Sequence, residues 1–268
     1  MVDGVRRAFG IRRVGHAGTL DPFATGLLLV LLGRGTRLAR YLVGLPKSYS
    51  GRIRLGAATD TDDRTGTVTG GSDGWRELHD AEIRAEMGAL LGVQLQQPPA
   101  FSAKKTAGQR AYRLARQGRP TPLSPVRVEI RRFDLLERDG ATLSFAAEVS
   151  SGTYLRGLAR DLGDRLGCGA HLEALRRIRI GAFGVDGAVP SDALDGAVIS
   201  VQPMLDAVAH LPRRDLDAGE TRLVRHGRPL EGAAEGGETV ALVHDGRLVA
   251  VAERDGSRLK PRVVVADE

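Results

Sequence analysis

The chain has 268 residues, 42% hydrophobic and 27% charged, enough for one large domain, or one large and one small, around a genuine core. Its longest apolar run, Leu27 to Leu32, is too short to span a bilayer, and its first residues lack the apolar stretch of a secretory leader. The single cysteine, Cys168, excludes a disulfide framework and a cysteine-ligated zinc site, while the net charge of +6 and pI near 10.0 favour a polyanionic partner in the cytoplasm.

Periodicity predicts a mixed α/β order. Val5 to Gly10 reads as a short helix, GHAGTLDP (15–22) as a loop, and Leu27 to Leu32 as a buried strand. Thr36 to Leu42 is predicted helical with Leu38, Tyr41 and Leu42 on one side. Tyr49 to Leu55 alternates Arg52-Ile53-Arg54-Leu55 like a half-exposed strand, and 60–71 is turn-rich. Asp80 is placed to cap a helix running to about Leu91. A basic helix is expected over Gly108 to Gln117, an extended linker over 120–125, and a hairpin from Val126 through Asp139-Gly140 to Val149. Tyr154 to Leu166 and His171 to Arg177 read as helices, Asp192 to Ala209 as a weak one. Beyond Pro212 come short strands at 238–244, 247–253 and 262–265 joined by Asp-Gly turns, so a boundary is expected near 205–215 with a small all-β domain after it.

The charge is clustered. Residues 1–56 hold ten Arg and Lys against Asp3 and Asp21, residues 57–100 three against eight acids, and residues 101–132 nine against Glu129. Two cationic blocks around an acidic insert suit a nucleic acid. Thirty-five of the 39 cations are Arg, which base bias in the coding sequence explains, but bias does not explain the clustering.

Familiar catalytic devices are absent. The glycines of LLGRGTR lack the spacing and the Lys-Ser/Thr of a P-loop, no GxSxG elbow occurs, and the six histidines are scattered. Asp60, Asp62 and Asp63 read as a solvated turn rather than a cation loop. What remains is Asp21, between a glycine-rich loop and an apolar run. On spacing alone it is half of an Asp-Pro turn; as a lone carboxylate in a cationic block it stays ionised and can act as a nucleophile on an RNA sugar or base.

Read in order, GHAGTLDPFATGLLLVLLGRGTRLARYL, KSYSGRIRLG, ATDTDDRTG, QQPPAFSAKKTAGQRAYRLARQG, SSGTYLRGLARDLGDRLGCGAHLEALRR and GGETVALVHDGRLVAVAERDG resemble the TruB family of tRNA pseudouridine-55 synthases over nearly the whole chain. The resemblance implies an α/β pseudouridine-synthase fold, a mixed and largely antiparallel sheet with flanking helices over 1–205. A tRNA-gripping insertion is expected at about 97–122 and a small PUA-like β-barrel at 212–268. It implies isomerisation of the T-loop uridine of tRNA after base extrusion, with no cofactor and no metal. The tRNA would be held by its T-arm and, through the C-terminal domain, its acceptor end; a monomer without an obligate protein partner is expected.

Residue by residue, the family match makes Asp21 the attacking carboxylate, Tyr49 the aromatic that stacks on uracil and a candidate to take the C5 proton, and Arg156 the ion-pair partner of Asp21. Leu175 becomes an apolar wall of the site, and His16 the residue that fills the space of the extruded nucleotide. Without the match, Tyr49 and Leu175 would be read as core and Arg156 as a solvated helix residue. Whether Asp21 attacks sugar or pyrimidine, or the ribose is deprotonated to a glycal, is left open. Arg12, Arg13, Arg34, Arg37 and Lys47, with Lys104, Lys105, Arg110, Arg113 and Arg116, are the expected phosphate contacts. Family members carry a Lys-Pro-x-Gly strand ahead of the point corresponding to Val5, where this sequence has Met1. That departure supports an alternative reading, a catalytically impaired tRNA-binding or tRNA-folding protein of the same family.

Overall fold

The computed structural model describes residues 1–99, 101, 105–106, 109–110, 123–194, 199–232 and 237–265, with the pairs 105–106 and 109–110 as backbone. In chain order the strands are β1 (Val14–His16), β2 (Thr25–Gly26), β3 (Val30–Leu32), β4 (Lys47–Leu55), β5 (Ala58–Thr59), β6 (Val68–Gly70), β7 (Gly92–Gln96), β8 (Lys105–Thr106), β9 (Gln109–Arg110), β10 (Val126–Asp139), β11 (Thr142–Val149), β12 (Ala170–Ile180), β13 (Phe183–Gly184), β14 (Arg213–Asp215), β15 (Leu230–Glu231), β16 (Thr239–His244), β17 (Arg247–Asp255) and β18 (Arg258–Val264). The α-helices are α1 (Val2–Phe9), α2 (Ala39–Val43), α3 (Asp80–Ala89), α4 (Leu155–Arg165), α5 (Met204–Ala207) and α6 (Ala218–Arg225). They group into two compact units, one of residues 1–19, 28–44 and 189–268 and one of 20–27 and 45–188.

The second unit is built on a seven-stranded sheet ordered β13-β12-β4-β11-β10-β7, with β2 added parallel to β12 and the other pairings antiparallel. β11 alternates half-buried and buried residues along its whole length, placing Leu143, Phe145, Ala147 and Val149 on one face. Against that face pack Ile83 and Met87 of α3 and Leu155, Leu158, Ala159 and Leu162 of α4, the latter at the i, i+3, i+4, i+7 spacing of one helical stripe. Phe133 and Phe145 meet edge to face with centroids 5.6 Å apart.

In the first unit, β14 runs parallel to β16, and β16, β17, β18 and β15 follow antiparallel in a five-stranded sheet, the expected small PUA-like architecture. Its two apolar clusters centre on Val240, Leu242 and Leu259 and on Leu38, Val208 and Val251.

Several predicted elements are corrected. The expected helix over 171–177 is strand β12. Its ladder with β4 slips at Leu172/Ala174 and again at Arg177/Arg179, so the inward residues Ala170, Leu172, Leu175, Arg177 and Ile180 are spaced two, three, two, three. Each bulge lengthens one step to three and so imitates helical apolar spacing in the sequence. The 36–42 helix starts as a tighter turn at Gly33–Leu38 and becomes α2 only at Ala39. Of 27–32 only Val30–Leu32 is strand. His79, not Asp80, precedes α3, because Glu82 reaches back to accept the His79 N–H at 2.7 Å. The C-terminal segment is not all-β: Asp217 accepts the Glu220 N–H at 2.7 Å and Glu220 returns the favour at 3.2 Å, a capping box that opens α6. Among the described residues of the weak helix expected over 192–209, α5 and a short turn at Ser191–Leu194 are helical. Most of the basic helix expected over 108–117 lies outside the described residues, and Gln109–Arg110 is strand paired with Lys105–Thr106.

At Gly26 the backbone requires glycine: φ is +97°, and a Cβ there would sit 2.2 Å from the Arg177 carbonyl oxygen. Gly26→Ala is therefore expected to lose about 2 kcal/mol or more of stability, read as a lowered urea midpoint. An unchanged midpoint would show that this segment does not need its close approach to β12.

Candidate active site

Asp21 begins a tight turn in which the Ala24 N–H donates to the Asp21 carbonyl at 2.9 Å, with Pro22 fixing the second residue. The Asp-Pro turn read from the sequence is real, and it also presents the carboxylate. Arg156 grips that carboxylate with two bonds, Nη2 to Oδ1 at 2.9 Å and Nε to Oδ2 at 3.2 Å. The Asp21 side chain keeps 29% of its surface exposed while that of Arg156 keeps 6%. The carboxylate is oriented from behind and open in front.

Arg156 lies in the first turn of α4, whose start is pinned by the buried Gln96 of β7. The Gln96 amide donates to the Tyr154 carbonyl at 3.0 Å and accepts the Tyr154 N–H at 2.9 Å. The guanidinium then donates to the carbonyls of Thr61 at 3.0 Å and Phe101 at 2.9 Å and stands 3.4 Å from the Asp63 carboxylate. The acidic run is thus not a solvated turn. Asp63 is 4% exposed, and its Oδ1 accepts from Thr61 Oγ1, Thr65 N and Thr65 Oγ1 at 2.9, 2.9 and 2.6 Å. The neighbouring Asp62, at φ +59°, pairs with Arg160 one turn along α4 at 2.9 Å. Burial pushes the Asp62 pKa up to about 6 against the pull of Arg160 and Arg156. Neither Arg160 nor Gln96 stands out in the sequence, and Asp62 and Asp63 read there as part of a solvated turn, although two consecutive acids have their complement in two arginines spaced i, i+4 on a helix.

Tyr49 is buried in β4, cross-strand from Arg177, and its side chain feels the Asp21 charge. Burial raises its pKa despite the opposing charge of Arg177, so the phenol holds its proton in the resting protein. Leu175, 6% exposed, follows on β12 opposite Gly51. Beside it opens a cleft of about 460 Å³ lined by Phe23, Thr25, Ser50, Arg52, Arg64 and Arg176, with the Arg64 guanidinium 5.8 Å from the Phe23 ring centre.

The remaining expected residues are distributed differently. Lys47 is not a surface phosphate contact: it is 7% exposed, its ammonium donates to the Leu45 carbonyl at 2.6 Å, and burial together with Arg177 lowers its pKa to about 8. His16 belongs to the first unit, exposed on β1. Arg12, Arg13, Arg34 and Arg37 are exposed in that unit, Arg13 donating to Thr36 and Arg37 to the Val264 carbonyl. Lys104, Arg113 and Arg116 lie outside the described residues, as do the side chains of Lys105 and Arg110.

Comparison with known proteins gives one answer along the chain. Residues 6–155 match the model of the TruB family pseudouridylate synthase N-terminal domain, residues 156–231 that of the tRNA pseudouridylate synthase B C-terminal domain, and residues 211–266 that of the tRNA pseudouridine synthase II C-terminal domain. The chain is 44% identical to tRNA pseudouridine synthase B of Mycobacterium sp. (strain KMS), over 99% of this chain and 91% of that one. It is equally identical to its counterpart in Thermobifida fusca (strain YX), over 99% and 93%. Among solved structures it is similar to chains of the archaeal box H/ACA sRNP Nop10-Cbf5 complex (TM-score 0.73, 24% identity, 98% of this chain and 80% of that one) and of a Cbf5-Nop10-Gar1 complex (TM-score 0.73, 25% identity, 100% and 79%).

Two outcomes are expected from this geometry. Asp63→Asn keeps an acceptor for Thr61 and Thr65 but removes a charge from Arg156, and is expected to lower stability by about 1–3 kcal/mol in urea titration. An unchanged midpoint would show the pair to be inert. The folded-state pKa of Asp62, about 6, is above the unfolded value of about 3.9, so its contribution to stability is complete below about pH 3.9 and lost as pH rises through about 6. Wild type should therefore lose more stability than Asp62→Asn between about pH 5 and pH 7.5. Equal losses in the two proteins would contradict the assignment.

Proposed function

The chain belongs to the TruB family and is a tRNA pseudouridine synthase, and on that premise we propose that it isomerises the T-loop uridine at conventional position 55 with Asp21 as the attacking carboxylate. The observation that carries this reading is the two-bond grip of Arg156 on Asp21, which leaves the front of the carboxylate open. The relatives' shared name favours the enzyme over a protein that only binds tRNA.

The reaction is balanced within the substrate. The N1–C1′ bond breaks, uracil turns, C5 bonds to C1′, and the proton lost from C5 is matched by one gained at N1. The protein has to extrude the base, hold it, and stabilise the separated fragments. A base in a folded loop costs a few kcal/mol to unstack. The arginine-lined cleft beside Leu175 offers cations for the flanking phosphates and an apolar wall for the ring. Tyr49 gives its aromatic face. Because its phenol is protonated in the resting state, it can take the C5 proton only by passing its own proton on, so its first role is platform. Asp21 attacks C1′ or the pyrimidine, with Arg156 holding one orientation of the carboxylate throughout.

We assign the T-arm as the part of tRNA gripped by the 97–122 insertion and its cationic residues, and the acceptor end as the part met by the PUA-like residues 212–268. The protein works as a monomer in the cytoplasm, where its substrate is. Asp21→Asn is expected to lower pseudouridine formation by about a thousandfold or more while tRNA binding stays within about threefold, measured by tritium release from C5-labelled tRNA and by filter binding. Turnover at the wild-type rate in Asp21→Asn would exclude the mechanism. Tritium-free wild type that still binds tRNA would return the binding-only reading.

A further inference from the structure

Of all the side chains in the described core, Arg177 is the largest so completely enclosed, at 1% exposure. Burying a guanidinium is costly unless its donors are used, so where they go carries information. The Arg177 Nε donates to the Leu27 carbonyl at 2.8 Å, and its own carbonyl accepts the Leu27 N–H at 2.8 Å. Leu27 is the first residue after β2, the short strand that follows the Asp21 turn and lies parallel to Arg176 and Arg177. The Arg177 side chain shares the inward face with Tyr49, its direct cross-strand partner in β4, and its charge acts on the Tyr49 hydroxyl. A guanidinium only donates, so toward Arg177 the Tyr49 oxygen can act only as an acceptor. Gly26 lets the segment come close enough for this contact.

We propose that Arg177 is a positioning residue for the reaction: its buried fork ties the Tyr49 hydroxyl to the exit of the Asp21 turn, so that base platform and nucleophile are held in one frame. The proposal rests on the reading of Asp21 and Tyr49 given above. It requires arginine in particular, because donors aimed at two acceptors on different segments need a planar fork, which a lysine ammonium on its flexible stem does not provide.

The test compares wild type, Arg177→Lys, Tyr49→Phe and the double variant in tritium release from C5-labelled tRNA, with ultraviolet titration of the phenolate in the RNA-free proteins. The Tyr49 transition is identified by its loss in Tyr49→Phe. The expected result is a fall in kcat of about tenfold or more in Arg177→Lys with KM near wild type, a similar fall in Tyr49→Phe, and a double variant no slower than Tyr49→Phe alone. The Tyr49 phenolate transition should also move in Arg177→Lys. Multiplying losses, or an unmoved phenolate transition, would reduce Arg177 to a core residue and overturn the proposal. Should Arg177→Lys fail to fold, Tyr49→Phe decides alone: wild-type kcat without the hydroxyl overturns it. Wild type that releases no tritium would sink the proposed function, whereas the titration reads the Arg177–Tyr49 contact without RNA.

Discussion

One guanidinium organises the catalytic unit. Arg156 binds the Asp21 carboxylate, the carbonyls of Thr61 and Phe101, and the Asp63 carboxylate, and it does so almost fully enclosed. A buried cation stabilises little by itself, since desolvation offsets most of the attraction. Its worth here is in direction. Five contacts from three segments leave the head group one position, and a carboxylate held by both oxygens inherits it. Of the two carboxylates around this one arginine, Asp63 is buried and Asp21 is the member open to solvent.

The acidic insert is the counterpart of this arrangement. Asp62 and Asp63 are consecutive, but the positive φ of Asp62 turns their side chains to different arginines of α4, Asp63 to Arg156 and Asp62 to Arg160. The segment also joins the sheet edge, with the Arg64 N–H on the Leu172 carbonyl and the Leu172 N–H on the Asp62 carbonyl, both at 3.0 Å. Helix, acidic loop and β12 are thereby locked together, and a run of charges that composition alone assigns to solvent becomes interior scaffold.

This explains which parts of the molecule could be read from the sequence. Strands β4 and β11 and helix α4 carry clean periods, since each buries one face against one layer. Asp21, Tyr49 and Arg156, and the pairing of Asp21 with Arg156, are legible through family motifs, while the two-bond geometry between residues 135 positions apart is seen only in the fold. Lys47 was misjudged because charge implies surface by default, whereas the alternation of β4 puts positions 47 and 49 on the same inward face. That alternation is present in the sequence, and at this position periodicity outweighs side-chain type.

Strand β12 shows a subtler limit. A regular strand would send Leu175 and Arg177 inward together with every second residue, and five inward positions would fit into nine residues. The two bulges stretch them over the eleven residues from Ala170 to Ile180. Bulges add local twist and bend the strand at its ends. Between them Leu175 and Arg177 remain on the face shared by Gly51 and Tyr49, opposite a glycine whose missing Cβ leaves space taken by the Phe145 ring and the Ala174 carbonyl, and a tyrosine whose hydroxyl lies in the field of the guanidinium. The irregularities that disguise this strand as a helix lie on either side of that pair, and the regular two-residue step between them lets one segment supply an apolar wall and a buried cation on the same face.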